Sequence, residues 1–131
     1  MADLNCIVVT PEATALETSA EFVALPLYDG EIGIAPGRSP MIGRLGYGEM
    51  RIRGGGKTSR YYVDGGFVQV ADNVISVLTG KAVAAEKLDP SEAQKNLEAA
   101  QRLPSNTPEL MEIRDRTVLQ ARGQLHVANR A

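Results

Sequence analysis

Gly30-Glu31-Ile32-Gly33-Ile34-Ala35-Pro36-Gly37-Arg38-Ser39-Pro40 is the most informative stretch of this 131-residue chain. Its three glycines permit positive φ or close backbone approach, and its two prolines fix φ and remove backbone donors. The stretch therefore reads as a rigid, shaped loop containing a short apolar strand at Ile32 and Ile34, with one carboxylate, Glu31, held outward. Nothing in it has the make-up of a catalytic centre. A rigid loop displaying a lone acid points instead to contact with a partner.

Outward from this loop, short runs that alternate or are wholly apolar recur: Leu4 to Val9, Phe22 to Leu27, Glu49 to Arg53, Ser59 to Val63, Phe67 to Ala71 and Val74 to Leu78. Each has the length and periodicity of a β-strand. Turn signals at Asp29-Gly30, Gly54-Gly55-Gly56, Asp64-Gly65-Gly66 and Asp72-Asn73 fall where reversals are needed. Many short strands at this spacing predict a sandwich or barrel. Between Glu49 and Arg53 the alternation predicts Met50 and Ile52 facing inward, with Arg51 and Arg53 toward water.

Near residue 86 the composition changes. Twelve of the thirteen glycines lie between Gly30 and Gly80, and only Gly123 lies beyond. Two helix starts follow in the same grammar. Asp89-Pro90-Ser91-Glu92 supplies an N-cap acid, proline at the first helical position and glutamate at the third; Thr107-Pro108-Glu109 repeats the cap and proline. The first helix is expected from Pro90 to about Leu103, and the second from Pro108 almost to the end. The link from Pro104 to Thr107 allows only a tight reversal, so the helices form an antiparallel hairpin. The second, roughly 30 Å long at about 1.5 Å per residue, overhangs its partner.

The helix faces are thin. Ala93, Leu97 and Ala100 form a narrow stripe on the first; Met111, Val118 and Leu125 alternate with Arg114, Ala121 and Ala128 on the second. Arg114 admits two readings: it pairs with Glu98 or Glu92 across the hairpin, or a marginally stable hairpin opens and presents it to an acidic partner.

Several chemistries are excluded. A formal charge of −2 gives no general attraction to nucleic acid or anionic lipid. Cys6, the only cysteine, forms no internal disulfide and reads as a buried residue of the first strand, consistent with a reducing cytoplasmic setting. No signal peptide or membrane span is expected. Gly54-Gly55-Gly56-Lys57-Thr58 ends like a phosphate loop, but Arg51 stands where the first glycine is required, so it reads as a hairpin turn. His126, the only histidine, has no second ligand for a metal, and the scattered acids Glu17, Glu21 and Asp29 form no facing pair. No catalytic residues, metal site or cofactor is expected.

The opening loop resembles the G-E-x-G-I-x-P-G-H-x-P signature of the epsilon subunit of the F-type ATP synthase, with Arg38 where that family usually has histidine. Val8-Val9-Thr10-Pro11-Glu12 is similar to the family's first strand. Asp64-Gly65-Gly66-Phe67-Val68-Gln69-Val70-Ala71-Asp72-Asn73-Val74-Ile75-Ser76-Val77-Leu78 is similar to its Gly-Gly hairpin, and Leu88-Asp89 opens the helices where the family opens them. The resemblance spans essentially the whole chain and is strongest from Gly30 to Leu78. It implies a β + α fold: a ten-stranded β-sandwich over residues 1–86, followed by a helical hairpin over residues 87–131.

The implied role is that of a rotor subunit in the central stalk, coupling proton flow through the membrane ring to ATP synthesis while having no enzymatic activity of its own. The resemblance implies that Gly30, Glu31, Ile32 and Gly33 meet the ring of proton-carrying subunits and that Arg38 lies toward the gamma subunit of the shaft. It further implies that Arg114, Arg116, Arg122 and Arg130 of the second helix transiently meet catalytic beta subunits and obstruct hydrolysis. These four arginines are interleaved with Glu109, Glu112 and Asp115, leaving a net charge of only +1. The implied location is the cytoplasmic face of the bacterial plasma membrane, reached through the complex and without insertion. Some relatives bind ATP through I/L-D-x-x-R-A; here Leu88-Asp89-Pro90-Ser91-Glu92-Ala93 keeps Asp89 but puts Glu92 in place of the arginine, and like-charge repulsion opposes a phosphate there. The alternative from another class is a free-standing nucleotide-sensing module made of the same sandwich and hairpin. A sugar-binding module or small enzyme lacks both a catalytic pair and any tryptophan.

Overall fold

Two tight turns set the frame. Gly55 and Gly56 have φ of +59° and +77°, and Asp72 and Asn73 have +51° and +63°. Two consecutive left-handed residues twist a two-residue hairpin in the same sense as its strands, and glycine, Asp and Asn adopt that conformation most readily. The computed structural model describes residues 3–130. Its strands are β1 (Leu4–Val9), β2 (Thr14–Ala20), β3 (Phe22–Leu27), β4 (Gly30–Ile34), β5 (Met41–Gly54), β6 (Lys57–Ala71), β7 (Val74–Leu78) and β8 (Ala82–Ala84). A single 3-10 turn (Ala85–Lys87) leads to α1 (Pro90–Gln101) and α2 (Pro108–Arg130).

The strands form one hydrogen-bonded path, β2-β1-β7-β6-β5-β3-β4, with β8 added to β6. β6 pairs with β8 through Tyr61–Val63 and with β7 through Phe67–Ala71, so its two halves serve different layers of the sandwich. Cys6, Val8, Val68, Val70, Ile75 and Val77 pack in one core with Val23, Leu25, Ile34, Met50, Ile52 and Val63. Arg51 and Arg53 stand outside Met50 and Ile52, as the alternation predicts.

Two expectations change in detail. The described residues contain eight continuous strands rather than ten, because β5 and β6, at 14 and 15 residues, each run unbroken through both layers. Asp64-Gly65-Gly66 is not a reversal. It lies inside β6, paired with β5 at Leu45↔Gly66 and Tyr47↔Asp64. Gly65 and Gly66, with φ of +70° and +104°, mark the change of layer. A Cβ on Gly66 would come within 1.8 Å of the Leu78 carbonyl oxygen, so this glycine serves close backbone approach.

Both helices begin at their expected caps: Asp89 Oδ1 accepts from the Ser91 N–H at 2.9 Å, and Thr107 Oγ1 from the Leu110 N–H at 3.1 Å. Leu97 and Ala100 pack on Ala121, flanked by Val118 and Leu125. The C-terminal turns of α2 do not overhang as expected: Gln124 shares a groove with Glu92 and Ala93 at the start of α1, and the end of the helix lies against the sandwich. Val127 is fully buried with Tyr62 and Ala85, bordered by Tyr47 and Leu88. Arg114 pairs with its neighbour Asp115 at 3.1 Å rather than with Glu92 or Glu98.

Candidate functional site: an edge carboxylate joined to a docked helix

β4 is the terminal strand of the sheet, and Glu31 lies one residue into it. The two-residue turn Tyr28-Asp29 is closed by the Leu27↔Gly30 pair and reverses the chain into β4. Gly30 takes φ +151°, a conformation that favours glycine. Ile32 packs on the core, and Gly33 makes room for the Phe22 ring, which would lie 2.5 Å from a Cβ there. Gly30, Glu31 and Gly33 are exposed. The strand is thus anchored by two apolar residues, Ile32 and the fully buried Ile34, and shaped by two glycines, with its acid on the surface.

That acid is not alone. Arg51 closes on it as a fork, Nη2 to Oε1 at 2.8 Å and Nη1 to Oε2 at 3.2 Å. β3 lies between the two strands, and the β3–β4 and β3–β5 registers bring Glu31 within reach of Arg51. Arg51 Nη1 also donates to Glu49 Oε1 at 3.1 Å. The pKa of Arg51 is raised above the ordinary arginine value, first by its hydrogen bond to Glu31 and then by that to Glu49. Glu49, only 4% exposed at its side chain, takes its second arginine from the next strand: Arg60 donates through Nε at 2.8 Å and through Nη2. Arg60 Nη2 in turn donates to the carbonyl of Val127 in α2 at 3.1 Å. A second polar tie joins Tyr62, whose hydroxyl donates to Asp64 at 2.6 Å, to Gln120 of α2, which donates to the same carboxylate at 3.2 Å. Burial first, and then the bond to Asp64, raise the Tyr62 pKa well above the phenol range, so the hydroxyl keeps its proton.

Arg38 is exposed on the 35–40 loop, which is pinned where the Gly37 N–H donates to Asn73 Oδ1 at 2.7 Å. It therefore lies by the β6–β7 turn, while Glu31 lies over Arg51. On α2, Arg116 lines an open cleft of about 620 Å³ with Tyr28, Arg44, Tyr47 and Glu112, and Arg122 is exposed beside Arg114 and Gln101. The Arg130 side chain lies outside the described residues. Asp89 is committed to capping α1, and Glu92 shares a groove with Lys81 and Lys87. His126 is exposed, and among the described residues no cluster suits a metal ion.

Sequence reasoning missed an apolar surface on the sandwich. Ile42, Phe67 and Leu78 are 75%, 58% and 52% exposed, and Arg44 lies 4.6 Å over the ring of exposed Tyr28. Register puts Arg44 opposite Phe67 and Phe67 opposite Leu78, so these side chains share one outer face. The available signal was the run Phe67-Val68, which carries large apolar residues on both faces of one strand.

Residues 3–85 match the family profile described as ATP synthase, Delta/Epsilon chain, beta-sandwich domain. The ATP synthase epsilon chain of Rhodopirellula baltica is 53% identical over 125 residues, covering 95% of this chain and 98% of its own. The chain belongs to the ATP synthase epsilon-chain family. As an epsilon chain it is a non-catalytic subunit of that complex. The epsilon chain of Carboxydothermus hydrogenoformans is 40% identical over 110 residues, covering 82% of each chain. Among solved structures, a chain of the Euglena gracilis mitochondrial ATP synthase OSCP/F1/c-ring assembly superposes with a TM-score of 0.87 at 22% identity, over 98% of this chain and 82% of that one. One from the Tetrahymena thermophila central stalk and c-ring superposes with 0.75 at 13% identity, over 97% of each. Both show a shared fold. Among the described residues no helix is long and apolar enough to cross a membrane.

Proposed function

We propose that the chain works in the rotor stalk, where its sandwich carries torque between the membrane ring and the shaft and so couples proton flow to ATP synthesis. The observation that carries this reading is Glu31: an exposed carboxylate on the edge strand, fixed by the Arg51 fork and flanked by Gly30, Ile32 and Gly33. An acid already oriented loses little conformational freedom when it meets basic groups on a ring loop.

Arg38 faces the gamma subunit of the shaft, and the exposed Ile42, Phe67 and Leu78 extend that contact as an apolar patch. Residues 1–86 form the coupling unit and residues 87–131 a separate regulatory hairpin. When the hairpin leaves the sandwich, Arg114, Arg116, Arg122 and Arg130 meet catalytic beta subunits and slow hydrolysis. The subunit sits at the cytoplasmic face of the bacterial plasma membrane, held through its partners.

Cysteine cross-linking in the assembled complex tests this. Glu31→Cys should link to a ring subunit and Arg38→Cys to the shaft, with buried Cys6 silent. Cross-links from position 31 to any other subunit would overturn the assignment. The free-standing nucleotide sensor gains no support, since Asp89 is engaged as a cap and Glu92 is acidic.

A further inference from the structure

The edge carboxylate and the docked end of α2 are joined by an unbroken chain of four side chains: Glu31, Arg51, Glu49 and Arg60, which ends on the Val127 carbonyl. We infer that this chain couples the two surfaces, so that a cation engaging Glu31 loosens the end of α2.

The physical basis is competition for one carboxylate. Arg51 has a single planar fork and two acids within reach. While Glu31 holds the fork, Arg51 donates to Glu49 at Oε1 and Arg60 donates to Oε2. When Glu31 is neutralised or taken by another cation, the fork is free to close on both oxygens of Glu49, the preferred geometry of an arginine–carboxylate pair. Arg60 then competes with Arg51 for Oε2, and its donation to Val127 weakens. With the Glu49 side chain almost wholly buried, this competition takes place where water screens little.

Coupling between sites is reciprocal: whatever loosens α2 by engaging Glu31 binds Glu31 more tightly once α2 has left. The identity of the cation as a ring subunit rests on the function proposed above. The coupling within the chain does not, so the test uses the isolated full-length chain.

Backbone amide exchange at residues 124–129 reports docking of the α2 end, and core amides of β6 and β7 report the integrity of the sandwich. Glu31→Gln should speed exchange at the α2 end about threefold, the scale of one partly exposed ion pair, and leave the core amides unchanged. Arg60→Lys keeps the charge but loses the forked donor; it should speed the same amides, and adding Glu31→Gln to it should have no further effect. Neutralising the remote Glu21 by Glu21→Gln should change nothing at α2. Wild-type exchange in Glu31→Gln, or effects of Glu31→Gln and Arg60→Lys that multiply in full, would overturn the coupling even if Glu31 still cross-links to the ring.

Discussion

Gly123 of α2 lies so close to Tyr47 of β5 that a Cβ there would sit 2.7 Å from the Tyr47 carbonyl oxygen and 3.2 Å from the Tyr62 ring. In a free helix, glycine to alanine is favourable by about 1 kcal/mol. Here the same change drives α2 against backbone that cannot yield. Gly123→Ala is therefore expected to weaken docking by about 1–3 kcal/mol despite its better helix propensity. Amide exchange along α2 would show faster opening, with β-core amides protected as in the wild type. Slower exchange at α2 would mean that the helix end is not seated on the sandwich.

Val127→Ala tests the same contact from its apolar side. Val127 is fully buried against Tyr62 and Ala85, and losing two methyl groups there should cost about 2 kcal/mol of docking. The change should appear in α2 exchange, with only a small shift in the unfolding midpoint of the sandwich.

Gly66→Ala acts on the sandwich itself. Its φ of +104° and the 1.8 Å approach of a Cβ to the Leu78 oxygen leave no room for a side chain without moving β7. A loss of about 3 kcal/mol or more is expected in urea denaturation. Wild-type stability would show that β6 and β7 can separate freely at this point.

Cys6 predicts an alkaline effect. Burial raises its thiol pKa from 9.0 to about 11, so the folded chain holds a proton that the unfolded chain releases. The resulting stabilisation is complete below pH 9, declines as pH rises from 9 to 11 and is exhausted above that. It amounts to about 3 kcal/mol. Cys6→Ala should remove this part of the pH dependence, so the stability difference between wild type and variant should change across that window. A difference constant in pH would contradict the buried thiol.

The local grammar of this chain was readable where one segment decides the outcome. β1, β3 and β7 begin and end where their apolar runs do, and both helices start at the residues whose side chains cap them. β2 was missed because it is an edge strand: Thr14–Ala20 is mostly exposed and has only Leu16 and Ala20 to mark an inner face. Gly65-Gly66 was read as a turn because positive φ serves a reversal and a mid-strand change of layer equally well. The Arg51 partner of Glu31 lies 20 residues away and becomes a neighbour only through the β3 registers, which no local pattern encodes. Gly123 stood out in the composition, but its reason lies in the Tyr47 backbone.

The central claim, that the sandwich couples rotor and catalytic sector, is tested most directly by ATP-driven proton pumping in membranes depleted of their epsilon subunit. The whole chain, added back, should bind, restore pumping per ATP hydrolysed and slow hydrolysis, and a version ending after Glu86 should bind and restore pumping without slowing hydrolysis. Failure of the whole chain to bind or to restore pumping would contradict the account.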